Sequence, residues 1–457
     1  DLHKEYRRQR QMCIRDRLKY SEINKLAIPA LISGIAEPIL SITDTAIVGN
    51  VNYNSMEALG AVGIVGTFLS MLVWVFGQKR SVIASIVAQA IGARKIDEIK
   101  SLPSQAIFII LLMSLVIIGI TYPFAENLFS FYNASGLILD YSVDYYKIRV
   151  IGIPFTLITI GIFGIFRGLQ NTITPMAIAL VGTSLNIVLD IILVYGIEGV
   201  LSPMHIYGAA YASVIAQVTM AGLAIFLLYK KTKITLRFSL PFNKKIRDFL
   251  SMFLDLIIRT LALNIALYFG SSFAAKYGDE FIAAYTIAIN LWFLGAFIID
   301  GYSSAGTILS GKFFGEKSYN KLIELSYKLS LIGIFLGISI FAIGMIFYGY
   351  SGIIFTKEQI VLVEFYNVFW IVLIMQPLCA IAFIFDGIFK GLGWMKELRN
   401  VLLFSTFVVF IPTLLITDNL GYKLEGIFLA FTLWIIARGV PLIIKFYKTC
   451  VPLVQKM

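Results

Sequence analysis

About twelve stretches of roughly 20 apolar residues, separated by short polar gaps, leave this chain little choice of solvent. They fall near 23–47, 57–78, 104–122, 146–167, 175–197, 208–229, 250–274, 281–302, 328–348, 365–389, 400–417 and 426–447. Only 14% of the 457 residues are charged and 58% are hydrophobic. A soluble domain carries about 25% charged residues. Apolar content this high cannot be hidden in one aqueous core, and lipid removes the contradiction. In lipid every backbone polar group must be satisfied within the chain, so the fold class expected is an all-α integral membrane protein. The gaps are too short to hold an inserted soluble domain.

The basic residues set an orientation. Lys79, Arg80, Arg94, Lys95 and Lys100 follow the second stretch, and seven Lys and Arg lie between 230 and 247. Lys312, Lys317 and Lys321 follow the eighth, and Lys390, Lys396 and Arg399 the tenth. The intervening gaps 48–56 and 197–207 contain none. By the positive-inside rule both termini and the central connection are cytoplasmic, in a bacterial inner membrane. The net charge of +11 is therefore spread along loops. A nucleic-acid protein would cluster it on a soluble face, so no nucleic-acid partner is expected. A cleavable signal peptide is not expected at the charged N-terminus. Asp1–Arg17 differs in composition from the rest of the chain, and its QMCIRDR run resembles a translated sequencing adapter, so no function is placed there.

The chain also repeats itself. Gly164-Ile-Phe-Arg-Gly-Leu169 returns at an offset of 223 as Gly387-Ile-Phe-Lys-Gly-Leu392, and the same offset relates Pro154 to Pro377 and Gly92 to Gly315. Each half holds six stretches, an even number, so both enter the membrane from one side and form two parallel six-helix bundles. The division expected is a cytoplasmic segment 1–20, a first lobe 21–232, a cytoplasmic linker 233–248, a second lobe 249–450 and a tail 451–457.

Charged residues inside spanning helices are costly and are candidate functional residues for that reason. Three stand out in the first half: Glu37, Asp44 and Asp190. Asn186 precedes Asp190 by four residues and shares its helix face. Counting along the helices brings Asp44, Asn186, Asp190 and Ser213 to similar depth. Such oxygen donors suit Na⁺, with Asp44, Asn186 and Asp190 as its expected ligands. Alternatively, two carboxyls in low dielectric make a proton carrier, or the set is an internally bonded structural cluster. The positions equivalent to 44, 186 and 190 in the second half are Leu267, Val409 and Thr413, so that half lacks this set. Glu37 is two helical turns before Asp44 and faces the same way. Pro38 and Pro29 are candidate bends in the first helix. Asp255 and Arg259 are spaced to pair with each other. Asp300 and Asp386 are expected to pair with nearby Lys or Arg. Gly306-Thr-Ile-Leu-Ser-Gly-Lys312 imitates a phosphate-binding loop but ends in Phe313 and follows a membrane helix, so ATP-driven pumping is not expected.

Four segments, in order, resemble the multidrug and toxic compound extrusion (MATE) transporters, particularly the DinF-like branch. They are Asp44-Thr-Ala-Ile-Val-Gly49, Arg167-Gly-Leu-Gln-Asn-Thr-Ile-Thr-Pro-Met176, Asn186-Ile-Val-Leu-Asp190 and Gly208-Ala-Ala-Tyr-Ala-Ser213. The resemblance covers about residues 20–450. It implies an antiporter that exports amphipathic, often cationic compounds while H⁺ or Na⁺ enters, with no cofactor and no enzymatic activity. It further implies that Asp44 is central to coupling, that Asn186 and Asp190 join it in an ion site, and that Pro29 bends the first helix. A monomer in the lipid bilayer, with a small amphipathic molecule as its partner, is expected. Departures are Gln170-Asn171-Thr172 where the family often has Gly-Asp-Thr, Ser213 in place of the threonine of some members, and the lack of a clear match for the helix-seven acid of the NorM-like branch, in whose region Arg259 lies. Two rival readings are a flippase for lipid-linked saccharides, which would want several buried Lys or Arg, and a membrane-embedded enzyme. The latter would want a His-rich set that His3 and His205 cannot supply.

Overall fold

The computed structural model describes residues 18–50, 54–132, 134–234, 236–237 and 239–455, without the side chains of residues 37–42, 45 and 55. Residues 1–17 lie outside it, and so do the side chains of Glu37 and Pro38. The described residues form α1 (Tyr20–Gly49), α2 (Ser55–Gly77), α3 (Lys79–Gly92), α4 (Leu102–Thr121), α5 (Ala125–Phe131), α6 (Gly136–Arg149), α7 (Ile153–Gly168), α8 (Ile173–Tyr195) and α9 (His205–Lys231). They continue as α10 (Ile246–Tyr277), α11 (Asp279–Gly315), α12 (Tyr319–Ile346), α13 (Tyr348–Ser351), α14 (Gln359–Leu392), α15 (Met395–Phe404), α16 (Ile411–Asn419) and α17 (Lys423–Gln455). A π-helical segment, Ser405–Phe410, joins α15 to α16.

Eleven described helical runs are long and apolar enough to cross a bilayer. They match the expected stretches from the second to the twelfth, and the first coincides with the 30 residues of α1. The chain is an all-helical, multi-pass membrane protein. Several runs extend beyond the expected stretches. Met56–Gly92 continues past Gln78 through α3, so Lys79 begins a helix and is wholly buried instead of lying in a cytoplasmic loop. Gly136–Gly168 starts ten residues before the expected 146, because Asp140, Asp144 and Lys147 dilute the apolar signal of α6. The apparent phosphate loop at 306–312 is helical, inside α11.

The chain divides into two compact units. One comprises Pro29–Ala90 and Lys95–Leu261; the other comprises the described residues of Asp1–Ile28, Ile91–Arg94 and Ala262–Met457. Helix α1 passes from one unit to the other at Ile28–Pro29.

Within each unit the sequence repeat is a structural one. A Cβ added to Gly164 would meet the Arg80 carbonyl at 2.7 Å, and one added to Gly387 would meet the Ser303 carbonyl at 2.1 Å. Arg80 and Ser303 are themselves related by the same offset of 223. Only glycine lets α7 approach α3, or α14 approach α11, this closely; in lipid, where water does not drive helices together, such small-residue contacts supply the packing. The turns after these helices also repeat: Asn171 N–H donates to Phe166 O at 2.9 Å, and Trp394 N–H to Phe389 O at 3.0 Å. Gln170 takes the left-handed backbone there (φ +61°) that Gly393 takes in the second half (φ +76°).

Candidate functional site

The first unit places one polar cluster inside a helical bundle. Helix α6 is anchored by Tyr146, whose ring sits edge-on against Phe68 of α2 (5.8 Å) and Phe129 of α5 (5.2 Å). Its hydroxyl bonds Thr121 of α4. Edge-to-face pairs contribute about 0.5–1.5 kcal/mol each beyond area burial, so this packing fixes the rotation of α6. The neighbouring Tyr145 is 1% exposed.

Just before helix α8, Asn171 Oδ1 accepts from Thr174 N–H at 3.0 Å and so satisfies an otherwise unpaired backbone donor of its first turn. At its other end the Tyr195 hydroxyl donates to Ile47 O of α1 at 3.0 Å, one turn from Asp44. Helix α9 packs on α8 through Gly208, where a Cβ would meet the Leu193 carbonyl carbon at 2.6 Å, and through the fully buried Ala209, Ala210 and Ala212. The small residues of the 208–213 segment therefore bring Ser213 against α8.

Asp44, Asn186, Asp190 and Ser213 meet there, each 5% exposed or less. Carboxylates only accept hydrogen bonds, which fixes the Asn186 amide with its NH₂ toward them. So oriented, it donates to Asp44 Oδ1 at 3.0 Å and to Asp190 Oδ2 at 3.1 Å. Its oxygen accepts from the Ser213 backbone N–H and hydroxyl, both at 3.2 Å. The Ser213 hydroxyl also lies 3.5 Å from Asp44 Oδ2. Asp44 and Asp190 face each other closely enough to share a hydrogen. Two ionised carboxylates cannot do so, and the arrangement therefore suits one proton or one cation held between them. Asp190 Oδ1 is buried without a hydrogen-bond partner. Together these supply oxygen from two carboxyls, an amide and a hydroxyl, the hard donor chemistry that alkali cations take. Among the described residues no group of three or more His, Cys, Asp or Glu gathers to hold a metal.

Two residues belong to this neighbourhood that sequence reasoning passed over: Tyr145, and Arg149 one turn further along α6. The Arg149 guanidinium lies 5.8 Å from the Tyr145 ring centre, and its charge acts on both Asp44 and Asp190. The available signal was the one that selected Asp44, a charged residue inside an expected spanning stretch, here 146–167. Other candidates do not join the cluster. Pro29 is buried in α1, fifteen residues before Asp44. Asp255 and Arg259 are buried in α10. Asp386 forms ion pairs with Lys390 (3.0 Å) and Arg438 (3.3 Å), as its sequence neighbours suggested. Asp300 is exposed.

Comparison with known proteins decides the family. The MatE family model matches residues 29–192 and again 256–416, one match per half. The chain belongs to the MatE family. MatE proteins are membrane transporters and not enzymes, so the architecture and the family agree. Among curated relatives, this MatE chain is 25% identical over 424 residues to the DNA damage-inducible protein F of Escherichia coli strain K12, covering 91% of this chain and 90% of the other. It is 24% identical over 298 residues to a probable multidrug resistance protein NorM of Thermotoga maritima, covering 64% and 63%. In fold it is similar to a crystal structure of MATE in the bent conformation, with a TM-score of 0.87 at 21% identity over 95% of this chain and 96% of that one.

Proposed function

We propose that this MatE protein is a secondary active antiporter that exports amphipathic or cationic compounds in exchange for H⁺ or Na⁺. The observation that carries the reading is the buried set Asp44, Asn186, Asp190 and Ser213, two carboxyls held by one amide, with no Lys or Arg among the described residues in an ion pair with either of them. A carboxyl pair in low dielectric holds a proton or a monovalent cation and releases it only when its surroundings change. Asp44 is the exchanging group, and Asp190, Asn186 and Ser213 tune it. Cation and exported compound compete for the same negative charge, which is the minimum requirement for exchange. Alternating access follows from two lobes, 21–232 and 249–450, rocking about the linker 233–248, with Pro29 as a bend in α1. The protein acts as a monomer in a bacterial inner membrane, with both termini in the cytoplasm.

The test is efflux of a fluorescent lipophilic cation from proteoliposomes under an imposed proton gradient and, separately, an imposed Na⁺ gradient. Export driven by either gradient supports the reading and names the ion. Export under neither refutes it.

A second reading has one observation in its favour. Buried basic residues are as frequent in the described chain as buried acids, Lys79, Arg167, Arg259 and Arg438 against Asp44, Asp190, Asp255 and Asp386. This balance of buried charge keeps a flippase for anionic lipid-linked saccharides in play. Transport of such a lipid across the vesicle membrane, with the dye unmoved, would favour it.

A further inference from the structure

Arg149 lies one turn past Tyr145 on α6, its charge acts on Asp44 and Asp190, and among the described residues its guanidinium is in no ion pair. Two of its nitrogens, Nε and Nη1, are buried without a hydrogen-bond partner. Buried guanidinium nitrogens with unmade bonds are unusual, because leaving donors unpaired is costly. Close by, Gln217 Oε1 is a buried acceptor without a partner. Gln217 is one turn beyond Ser213 on α9, and its Oε1 lies 1.7 Å from where a Cβ on Gly152, three residues past Arg149, would be. Asp190 Oδ1 is the third orphan of this region. The titratable groups its charge reaches include Tyr145 from α6 itself, Asp44 from α1 and Asp190 from α8. Helix α9 contributes Ser213 and Gln217, which do not titrate in this range.

We propose that Arg149 is the resident cation of the site, a tethered competitor for the place that the coupling cation or the cationic substrate takes. The proposal rests on the antiport reading of the Asp44 cluster. Two ionised carboxylates and one guanidinium carry a net charge of −1. The site is therefore neutralised by one added positive charge, and a second would again leave it charged in low dielectric. When that charge leaves, the guanidinium can shift toward the carboxylates through its unmade bonds, so the emptied site is not left with two uncompensated anions. Stacking on Tyr145 holds the guanidinium in reach without committing its donors. Arg149 thus lowers the affinity for the coupling cation and speeds its release; it is a positioning and specificity residue, not the carrier itself.

The experiment compares wild type, Arg149→Gln, Arg149→Lys and Asp44→Asn in proteoliposomes. It reads the half-saturating concentration of the driving cation and the maximal export rate separately. Arg149→Gln is expected to lower the half-saturating concentration about tenfold or more, since a unit charge near a partly buried site is worth at least that factor, and to reduce the maximal rate. Arg149→Lys, which keeps the charge, is expected to retain wild-type half-saturation within about threefold. A merely structural role would lower the rate of both variants without tightening cation binding, and that pattern overturns the proposal. Unchanged half-saturation in Arg149→Gln, with Asp44→Asn inactive, overturns the proposal and leaves the antiport reading standing. An Asp44→Asn variant that still exports with normal cation dependence brings down the antiport reading itself.

Discussion

Asp44→Asn separates the charge of Asp44 from its shape. The substitution is isosteric, and the surrounding hydrogen bonds can be rewritten around it. The new amide oxygen can accept from Asn186 NH₂ where Asp44 Oδ1 does now at 3.0 Å. Its NH₂ can donate to the Ser213 hydroxyl at the 3.5 Å position of Oδ2. That hydroxyl in turn donates to the Asn186 oxygen at 3.2 Å. The Asn186 and Ser213 partners are both kept, so stability should change by no more than about 1 kcal/mol, the net worth of one neutral hydrogen bond. The charge is another matter. A monovalent cation about 4 Å from a carboxylate gains about 4 kcal/mol at an effective dielectric near 20, which is roughly a thousandfold in affinity. The variant is expected to insert, purify as a single species and unfold within a few degrees of wild type, while cation-driven export falls at least about a hundredfold, even if water recovers part of the lost energy. Thermal unfolding in detergent and gradient-driven dye efflux, measured on one preparation, check both halves. Retained export with ordinary cation dependence would refute the coupling role. A large loss of stability would refute the claim that the network tolerates the swap.

Other substitutions test the frame around the site. Asp386→Asn removes the acid that pairs Lys390 and Arg438 in the second unit; removing one partner of a buried pair costs about 3–5 kcal/mol, so unfolding temperature should drop while the half-saturating cation concentration stays put in transport assays. Gly164→Val and Gly387→Val should each destabilise by at least about 1–3 kcal/mol, because both force a side chain into a backbone carbonyl; thermal melts of the pair should fall together if the repeat is structural in both halves. Tyr146→Ala removes the ring packed between Phe68 and Phe129 and should cost about 3–5 kcal/mol, with export lost in proportion to folded protein as judged by size-exclusion yield.

The spans were legible because lipid imposes one rule, about 20 apolar residues with every backbone group paired internally. The rule weakens at span ends. It missed the first turns of α6, whose Asp140 and Asp144 are tolerable at the edge of a span. It also read Lys79 as a loop residue, since a basic residue after an apolar run looks like positive-inside punctuation, whereas the helix resumes at once as α3. In the site, Asn186 and Asp190 were legible as one face from their spacing alone, and Asp44 and Ser213 from counting depth along helices. The direction of the Asn186 amide was not, because it depends on three helices meeting at once. Arg149 was overlooked for a related reason: its importance comes from the charges of Asp44 and Asp190 on which it acts, and those belong to other helices that spacing along α6 does not reveal.

The two halves show what duplication preserves. Glycine contacts and the turns after α7 and α14 recur at an offset of 223 because they are demands of the backbone, and a backbone clash cannot be repaired by a different side chain. Side chains inside the bundle carry no such demand. Where the first half has Asn186, the second has Val409, inside the π-helical segment Ser405–Phe410. Trp434 donates to Thr406 there at 3.0 Å, and the surrounding core is aromatic, with Phe410 against Phe431 at 4.7 Å. A buried carboxyl pair is expensive in lipid. Placing it in one half leaves the other free to be a stable, apolar counterpart, and under the antiport proposal it makes cation binding a property of one bundle's interior. For an exchanger this is advantageous, because a single charge site that must be emptied before it is refilled cannot be bypassed by a second copy in the other half.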